Sequence, residues 1–315
     1  MNYKNSQIEI QKALFPAEKR HGIFRGTERE FFLKESNDNF ISLINPTDVK
    51  DYFASNSINW WMGKNPTGHM LSSQIACVNH LYPIRNDQEA VLSVARRIDP
   101  AIEGVELLGN DNEVWRGYVS FEVVSATDHL NEKRGRSKKL TRGCQCTSVD
   151  AVILARKQEK RLLIAIEWKY VERYYNEDKS KNAAGETRIG RYTDLIEDSR
   201  QLRHLGKNNY KGSLYFFEPF YQMMRQTLWA EQMVRHKDSE LIKADDFINV
   251  QVIPDGNKEL RDKAYGSGKM GLRSTWEMWL SDSSKYRLIS PNELLGNLPG
   301  KYEKLKAELS ARYWK

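Results

Sequence analysis

Two apolar runs of strand length, joined by six charged or polar residues, constrain the fold of this chain more than any other feature. Residues 147–155 read TSVDAVILA, residues 162–170 read LLIAIEWKY, and the link between them is RKQEKR. Both runs are rich in β-branched and large apolar residues, which predicts two strands. So short a link makes them antiparallel neighbours in a hairpin. Side chains alternate between the two faces of a strand. Ser148, Asp150, Val152 and Leu154 therefore share a face on the first strand, and Leu163, Ala165, Glu167 and Lys169 share one on the second. With the turn centred between Gln158 and Glu159, Asp150 and Glu167 are equidistant from it and lie directly opposite each other. Directly paired residues hold their Cβ atoms about 4.5–5.5 Å apart.

Two carboxylates that close repel, and each raises the other's pKa. The apolar stretches AVILA after Asp150 and LLIAI before Glu167 make the location expensive for charge. A divalent cation relieves the conflict. Mg²⁺ takes hard oxygen ligands, commonly one or two carboxylates, and keeps waters that a substrate phosphate can replace. Mn²⁺ is a suitable substitute, since it prefers the same ligand types. Lys169, two residues from Glu167, points to the same place. It is suited to steady a developing phosphorane charge or to help deprotonate an attacking water. A cross-strand ion cluster on an exposed face would carry the same three residues with no chemistry.

The rest of the chain predicts a mixed α/β protein. Residues 1–70 are polar and irregular, an N-terminal elaboration that Trp60 and Trp61 anchor to a core. Helices are expected over 71–81, with Ser72 or Ser73 as cap, and over 87–98, which opens with acids and closes with Arg96 and Arg97. A strand is expected over 114–124, then a cationic loop over 131–143. Beyond the hairpin, 178–188 reads as loop, 195–205 and 218–236 as helices, and 247–253 as a strand stopped by Pro254-Asp255-Gly256. The tail, 256–315, reads as a helical elaboration, with Trp276 and Trp279 on one helical face and a charged helix near 301–313. With no linker inside it, 71–255 forms one core to which both elaborations belong.

Composition excludes several classes. At 40% apolar residues among 315, the chain is neither disordered nor a disulfide-built miniprotein. No apolar run approaches the ~18 residues of a membrane helix. MNYKNSQIEI has no apolar stretch of a secretion signal, and the three cysteines suit a reducing cytoplasm. Cys77 reads as core, and Cys144 and Cys146 lack the partners of a zinc site. No phosphate-binding or dinucleotide glycine motif is present. The net charge of +7 raises the expectation of a polyanionic partner.

The segment TSVDAVILARKQEKRLLIAIEWKY resembles the core of the PD-(D/E)XK nucleases, the restriction-endonuclease-like superfamily. There an aspartate on one strand precedes an apolar strand ending in Glu-x-Lys, positions held here by Asp150, Glu167 and Lys169. Val149 stands where the nominal proline would be. SSQIACVNHL, SFEVVS, CTSVDAVI, IEWKYVERY and EPFYQMMRQTLWA also resemble a bacterial subgroup of that superfamily. The resemblance implies a restriction-endonuclease-like αβββαβ core, with a mixed sheet flanked by helices and N- and C-terminal elaborations. It implies Mg²⁺-dependent hydrolysis of DNA phosphodiester bonds, in restriction or defence, with a homodimer compatible. Asp150, Glu167 and the main-chain carbonyl of Trp168 would be the metal ligands, with Lys169 catalytic.

An upstream acid is often present in such nucleases, and Glu122 is the candidate, ahead of Glu89 and Glu106. Gln222, on the strongest helix, matches a helical glutamine that related nucleases use near the metal or substrate. In the cationic loop, Arg134, Arg136, Lys138, Lys139 and Arg142 are suited to grip phosphates. Lys179, Lys181, Arg188 and Arg191 would make a second wall. RNA cleavage, junction resolution or a non-catalytic nucleic-acid-binding module of the same fold are the alternatives.

Overall fold

The two apolar runs become the central hairpin of the protein. The computed structural model describes residues 2–61, 63–132, 140–143, 146–175, 177–266 and 268–315. Its first elements are α1 (Tyr3–Leu14), β1 (Gly22–Phe24), β2 (Thr27–Arg29), α2 (Pro46–Ser55), α3 (Ser73–Leu81) and α4 (Gln88–Ile98). Then come β3 (Gly104–Glu106), β4 (Ser120–Val123), β5 (Val149–Lys157) and β6 (Lys160–Trp168). The second half contains α5 (Asn182–Glu197), α6 (Phe220–Arg235), β7 (Asp246–Val252), α7 (Lys258–Arg261) and α8 (Leu272–Glu277). It ends with β8 (Tyr286–Ile289), α9 (Pro291–Leu294) and α10 (Glu303–Tyr313).

β5 and β6 pair antiparallel from Ala151 with Ile166 to Lys157 with Lys160. The turn thus centres between Gln158 and Glu159, both with positive φ. β3 and β4 lie one after the other along the far edge of β5, both antiparallel to it. β7 runs parallel to β6, and β8 parallel to β7, completing a mixed six-stranded sheet. A parallel neighbour needs a crossover, and the connection carrying α5 and α6 supplies it.

Both sheet faces are covered, which is why the central strands are apolar throughout. Ala151, Ile153, Ile164 and Ile166 face a core shared with Phe53, Ile75, Val91 and Leu309. Val152, Leu154 and Leu163 face the other core, with Tyr192, Met224, Leu228 and Trp276. Caps set the helix starts. Ser72 accepts from Ile75 N at 3.3 Å, and Asp87 accepts from Glu89 N and Ala90 N at 3.1 and 3.3 Å. The ends of the chain lock onto the end of β6. Gln11 donates to Tyr170 Oη at 2.9 Å and to the Arg312 carbonyl at 3.0 Å, and Tyr170 Oη donates to Gln7 at 2.8 Å.

Several elements depart from the expectation. Only Ser120–Val123 of the expected strand 114–124 reaches β5, because Glu113–Trp115 is a 3-10 turn capped by Asn112. The helix expected over 195–205 lies earlier, in α5, which begins inside the stretch read as loop. Gly185 permits that placement: a Cβ there would lie 2.2 Å from the Ser180 carbonyl. The tail is not only helical, since β8 extends the sheet. α8 ends at Glu277, so Trp276 is helical and Trp279 lies beyond it. Trp60 is buried and stacked on Phe53 at 3.8 Å, whereas Trp61 is left in solvent.

Candidate active site

The hairpin register carries Asp150 opposite Glu167, one step beyond the Ala151–Ile166 pair. On the other side of β5, Phe121 pairs with Ala151 and Val123 with Val149, which brings Glu122 level with Asp150. Three carboxylates therefore form a row across β4, β5 and β6. Glu122 adopts a left-handed backbone, with φ of 50°. That conformation is uncommon for a side chain with a Cβ and costs roughly 1–3 kcal/mol. A close approach from below accompanies it. Gly143, at φ 74°, lies so near that a Cβ there would be 2.6 Å from the Asn59 carbonyl and 3.4 Å from the Glu122 carboxylate.

Each carboxylate has its own support. Asp150 Oδ2 accepts from the backbone N–H of Trp168 at 2.7 Å. Glu122 accepts from Gln74 Nε2 at 2.6 Å and from Ser148 Oγ at 3.0 Å. Glu167 Oε1 accepts from Lys169 Nζ at 2.6 Å and from Gln222 Nε2 at 2.5 Å. Its other oxygen accepts from Gln226, which is itself fixed by Gln251 at 2.9 Å. Lys169 also donates to Gln222 Oε1 at 2.7 Å. The Trp168 indole lies in the core against His80, with ring centres 4.5 Å apart, so only its backbone serves the site.

The electrostatics follow from burial and crowding. Burial first, then Glu167 and Glu122, hold the Asp150 carboxyl well above its usual range. Burial and the charge of Glu167 push Glu122 up, against the pull of Gln74, Ser148 and Arg142. Burial works against the Lys169 ammonium, yet Glu167 and its acidic neighbours outweigh this and raise its pKa.

These groups line one cleft of roughly 680 Å³, together with Trp61, His69, Gln74, Glu172 and Arg173. Asp150 and Glu167 are the side chains that could hold a hard divalent cation. Among the described residues no group of three His, Cys, Asp or Glu side chains forms a ready cage. An ion here would take two carboxylates plus backbone and water oxygens, the ligation Mg²⁺ favours. The raised proton affinity of Asp150 fits that donor set, because Lys169 does not offset burial and the charges of Glu167 and Glu122.

Other expected residues fall elsewhere. Arg134, Arg136, Lys138 and Lys139 lie outside the described residues, as does Cys144. Arg142 is turned into the protein. Its guanidinium is buried, pairs with Asp111 at 3.0 Å and donates to Ser120 Oγ and the carbonyls of Phe121 and Glu122. Its position in a basic run hid a structural role, tying β4 to the Asp111 carboxylate. Glu89 is exposed at the first turn of α4, and Glu106 pairs with Arg161 at 2.9 Å; neither lines the cleft. Lys179 pairs with Glu177 at 2.9 Å and Arg188 donates to the Lys179 carbonyl, so the second wall is not part of this cleft.

Gln74, Ser148, Gln226 and Gln251 were missed by sequence reasoning. Gln251 had a signal, an amide in the middle of the apolar strand FINVQVI. Gln226 had one too, four residues after Gln222 on the same helical face.

A helix pair, an antiparallel run of strands, a crossover helix and a parallel strand, with Asp150 and Glu-x-Lys at the hairpin's open end, define a restriction-endonuclease-like protein. Over residues 2–314 the chain matches the family described as restriction endonuclease associating with ARP, and it belongs to that family. Searches of curated proteins and of solved structures found no match. Among the described residues no helix is long and apolar enough to cross a membrane.

Proposed function

We propose that the chain is a divalent-metal-dependent nuclease that hydrolyses phosphodiester bonds of DNA. The observation that carries this reading is the alignment of Asp150 with Glu167 across the hairpin, with Lys169 held 2.6 Å from Glu167 in the same cleft. Family membership supports it.

Asp150, Glu167 and the Trp168 carbonyl would hold Mg²⁺, or Mn²⁺ in its place. When bound, the ion supplies charge stabilisation at the scissile phosphate and a lower pKa for a coordinated water. The protein's own groups do the rest. Lys169 presents a fixed cation where negative charge develops, and its bonds to Glu167 and Gln222 set its direction. Gln222 and Gln226 hold the direction of the Glu167 carboxylate. Glu122 adds charge to the row and, through Gln74 and Ser148, keeps its place beside Asp150. Arg134, Arg136, Lys138 and Lys139 would hold the DNA backbone by charge alone. The family description also supports association with ARP.

The test is cleavage of plasmid and linear duplex DNA by the full chain, with Mg²⁺ and then with EDTA. Wild type should cut only with the metal. Asp150→Asn and Lys169→Met should not cut, and both should still bind DNA. Equal cutting in EDTA, or full activity in either variant, would sink the assignment.

A further inference from the structure

Two aromatic side chains stand in water at the edge of the carboxylate cleft. Trp61 is 53% exposed and Tyr175 is 73% exposed, and both line the cleft with Asp150, Glu167 and Lys169. Leaving large apolar rings in water forgoes the free energy of burial unless something covers them.

Trp61 is firmly mounted. Its ring stacks on Phe24 at 6.2 Å and meets His69 edge-on at 5.9 Å. Burial pushes His69 down to about 4, so at neutral pH the supporting ring is uncharged. The backbone N–H of Trp61 donates to Gln74 Oε1 at 2.9 Å, and Gln74 in turn donates to Glu122. One side chain thus connects the Trp61 backbone to the carboxylate row. Tyr175 carries a cation instead: the Arg173 guanidinium lies 5.5 Å from its ring centre, steadied by Glu259 at 2.9 Å. Lys4 lines the same cleft.

We propose that Trp61 and Tyr175 are stacking platforms for unpaired bases, so that the preferred substrate exposes bases beside the scissile phosphate. This rests on the nuclease reading above. A base inside a closed duplex hides both of its faces against neighbouring pairs, so only an unpaired or extruded base can lie on an aromatic ring. Every base has such a face, which makes the recognition tolerant of sequence. A ring fixed before binding loses little freedom on binding. Lys4 and Arg173 supply the positive charge that holds the adjoining backbone.

The experiment is anisotropy of three labelled DNA probes of one sequence: a duplex, the same duplex with a central unpaired bubble, and a single strand. The protein is the full chain with Asp150→Asn, so that binding is read without cleavage. Bubble and single strand should bind more tightly than duplex. Trp61→Ala and Tyr175→Ala should each weaken the bubble and single strand by roughly 5- to 150-fold, the range for removing one base–aromatic stack, and leave the duplex nearly unchanged. Trp61→Phe should restore most of the loss, which separates stacking from damage to the fold. Equal binding of all three probes, or equal losses on all three, overturns the inference. So does an unchanged affinity accompanied by conversion of a dimer to a monomer in sedimentation, which would make the rings a protein interface. If the platforms behave as expected but the wild type cuts nothing, the nuclease reading fails and only the stacking of unpaired bases on Trp61 and Tyr175 stands. A chain that binds no nucleic acid overturns both.

Discussion

Glu167 and Lys169 form a 2.6 Å ion pair inside the protein, their side chains only 4% and 9% exposed. Removing one partner of a buried pair strands the other and typically costs about 3–5 kcal/mol. Lys169→Met should therefore lower the unfolding free energy by about that much in urea titrations without metal. If the carboxylate row takes Mg²⁺, adding it should recover part of the loss, with binding at a hundredfold excess over Kd contributing about 2.7 kcal/mol. A variant as stable as wild type would show that the pair is not needed to neutralise Glu167.

Asp150 is predicted to behave in the opposite sense. Its folded pKa is raised, by burial and by Glu167 and Glu122. The protonated form is then favoured by folding, so this contribution is present at low pH and is lost as pH rises from the ordinary aspartate value of about 3.9 towards the raised one. At neutral pH without metal, Asp150→Asn should raise the melting temperature, since asparagine can still accept from Trp168 N–H. Mg²⁺ should stabilise wild type more than the variant. A melting temperature lower in the variant at neutral pH in EDTA would contradict the crowding of carboxylates.

Glu132 anchors the other face of the sheet. It accepts from Tyr192 Oη at 2.6 Å, from Thr147 Oγ1 at 2.8 Å and from Arg225 at 3.0 Å. Burial opposes its charge, but Arg225 and these hydrogen bonds hold its carboxyl below the usual range. A depressed folded pKa gives stability that is present above the ordinary glutamate value of about 4.3 and is lost as pH falls through the folded value. Glu132→Ala should cost about 3–5 kcal/mol at neutral pH, by leaving the Arg225 charge without its partner. The deficit should shrink in acid. Unfolding curves at both pH values measure it, and a deficit independent of pH would argue for lost packing alone.

Neutralising Arg134, Arg136, Lys138 and Lys139 together should weaken DNA binding for all sequences alike. The slope of log affinity against log salt should flatten by up to ~0.9 per lost phosphate contact. Arg142→Ala should leave that slope unchanged and instead destabilise the fold by about 1–3 kcal/mol, because Asp111 keeps Arg85 but the buried carbonyls of Phe121 and Glu122 lose their side-chain donor. Salt titrations and melting curves on the two variants separate the roles; an unchanged slope in the first would show that the loop does not contact the backbone.

The register of Asp150 and Glu167 was legible in the sequence, because a tight hairpin converts residue number directly into cross-strand position. The cap of α3 was legible to within one residue, Ser72 or Ser73, for a similar reason: the signal and its consequence lie within one turn of helix. Only the tertiary structure decided the rest. α5 has few apolar positions and two glycines, so its periodicity was weak, and it is held by the surfaces it packs on. The four residues of β8 have no partner near them in sequence and become a strand only because β7 offers an edge. Arg142 looked like its basic neighbours until folding placed Asp111, 31 residues away, beside it. Gln226 reaches Glu167 from a helix 59 residues further on, and Gln251, 84 residues beyond Glu167, holds Gln226 from a strand. Hydrogen bonds between such distant groups depend on how the sheet and helices pack, and no local pattern of residues encodes that.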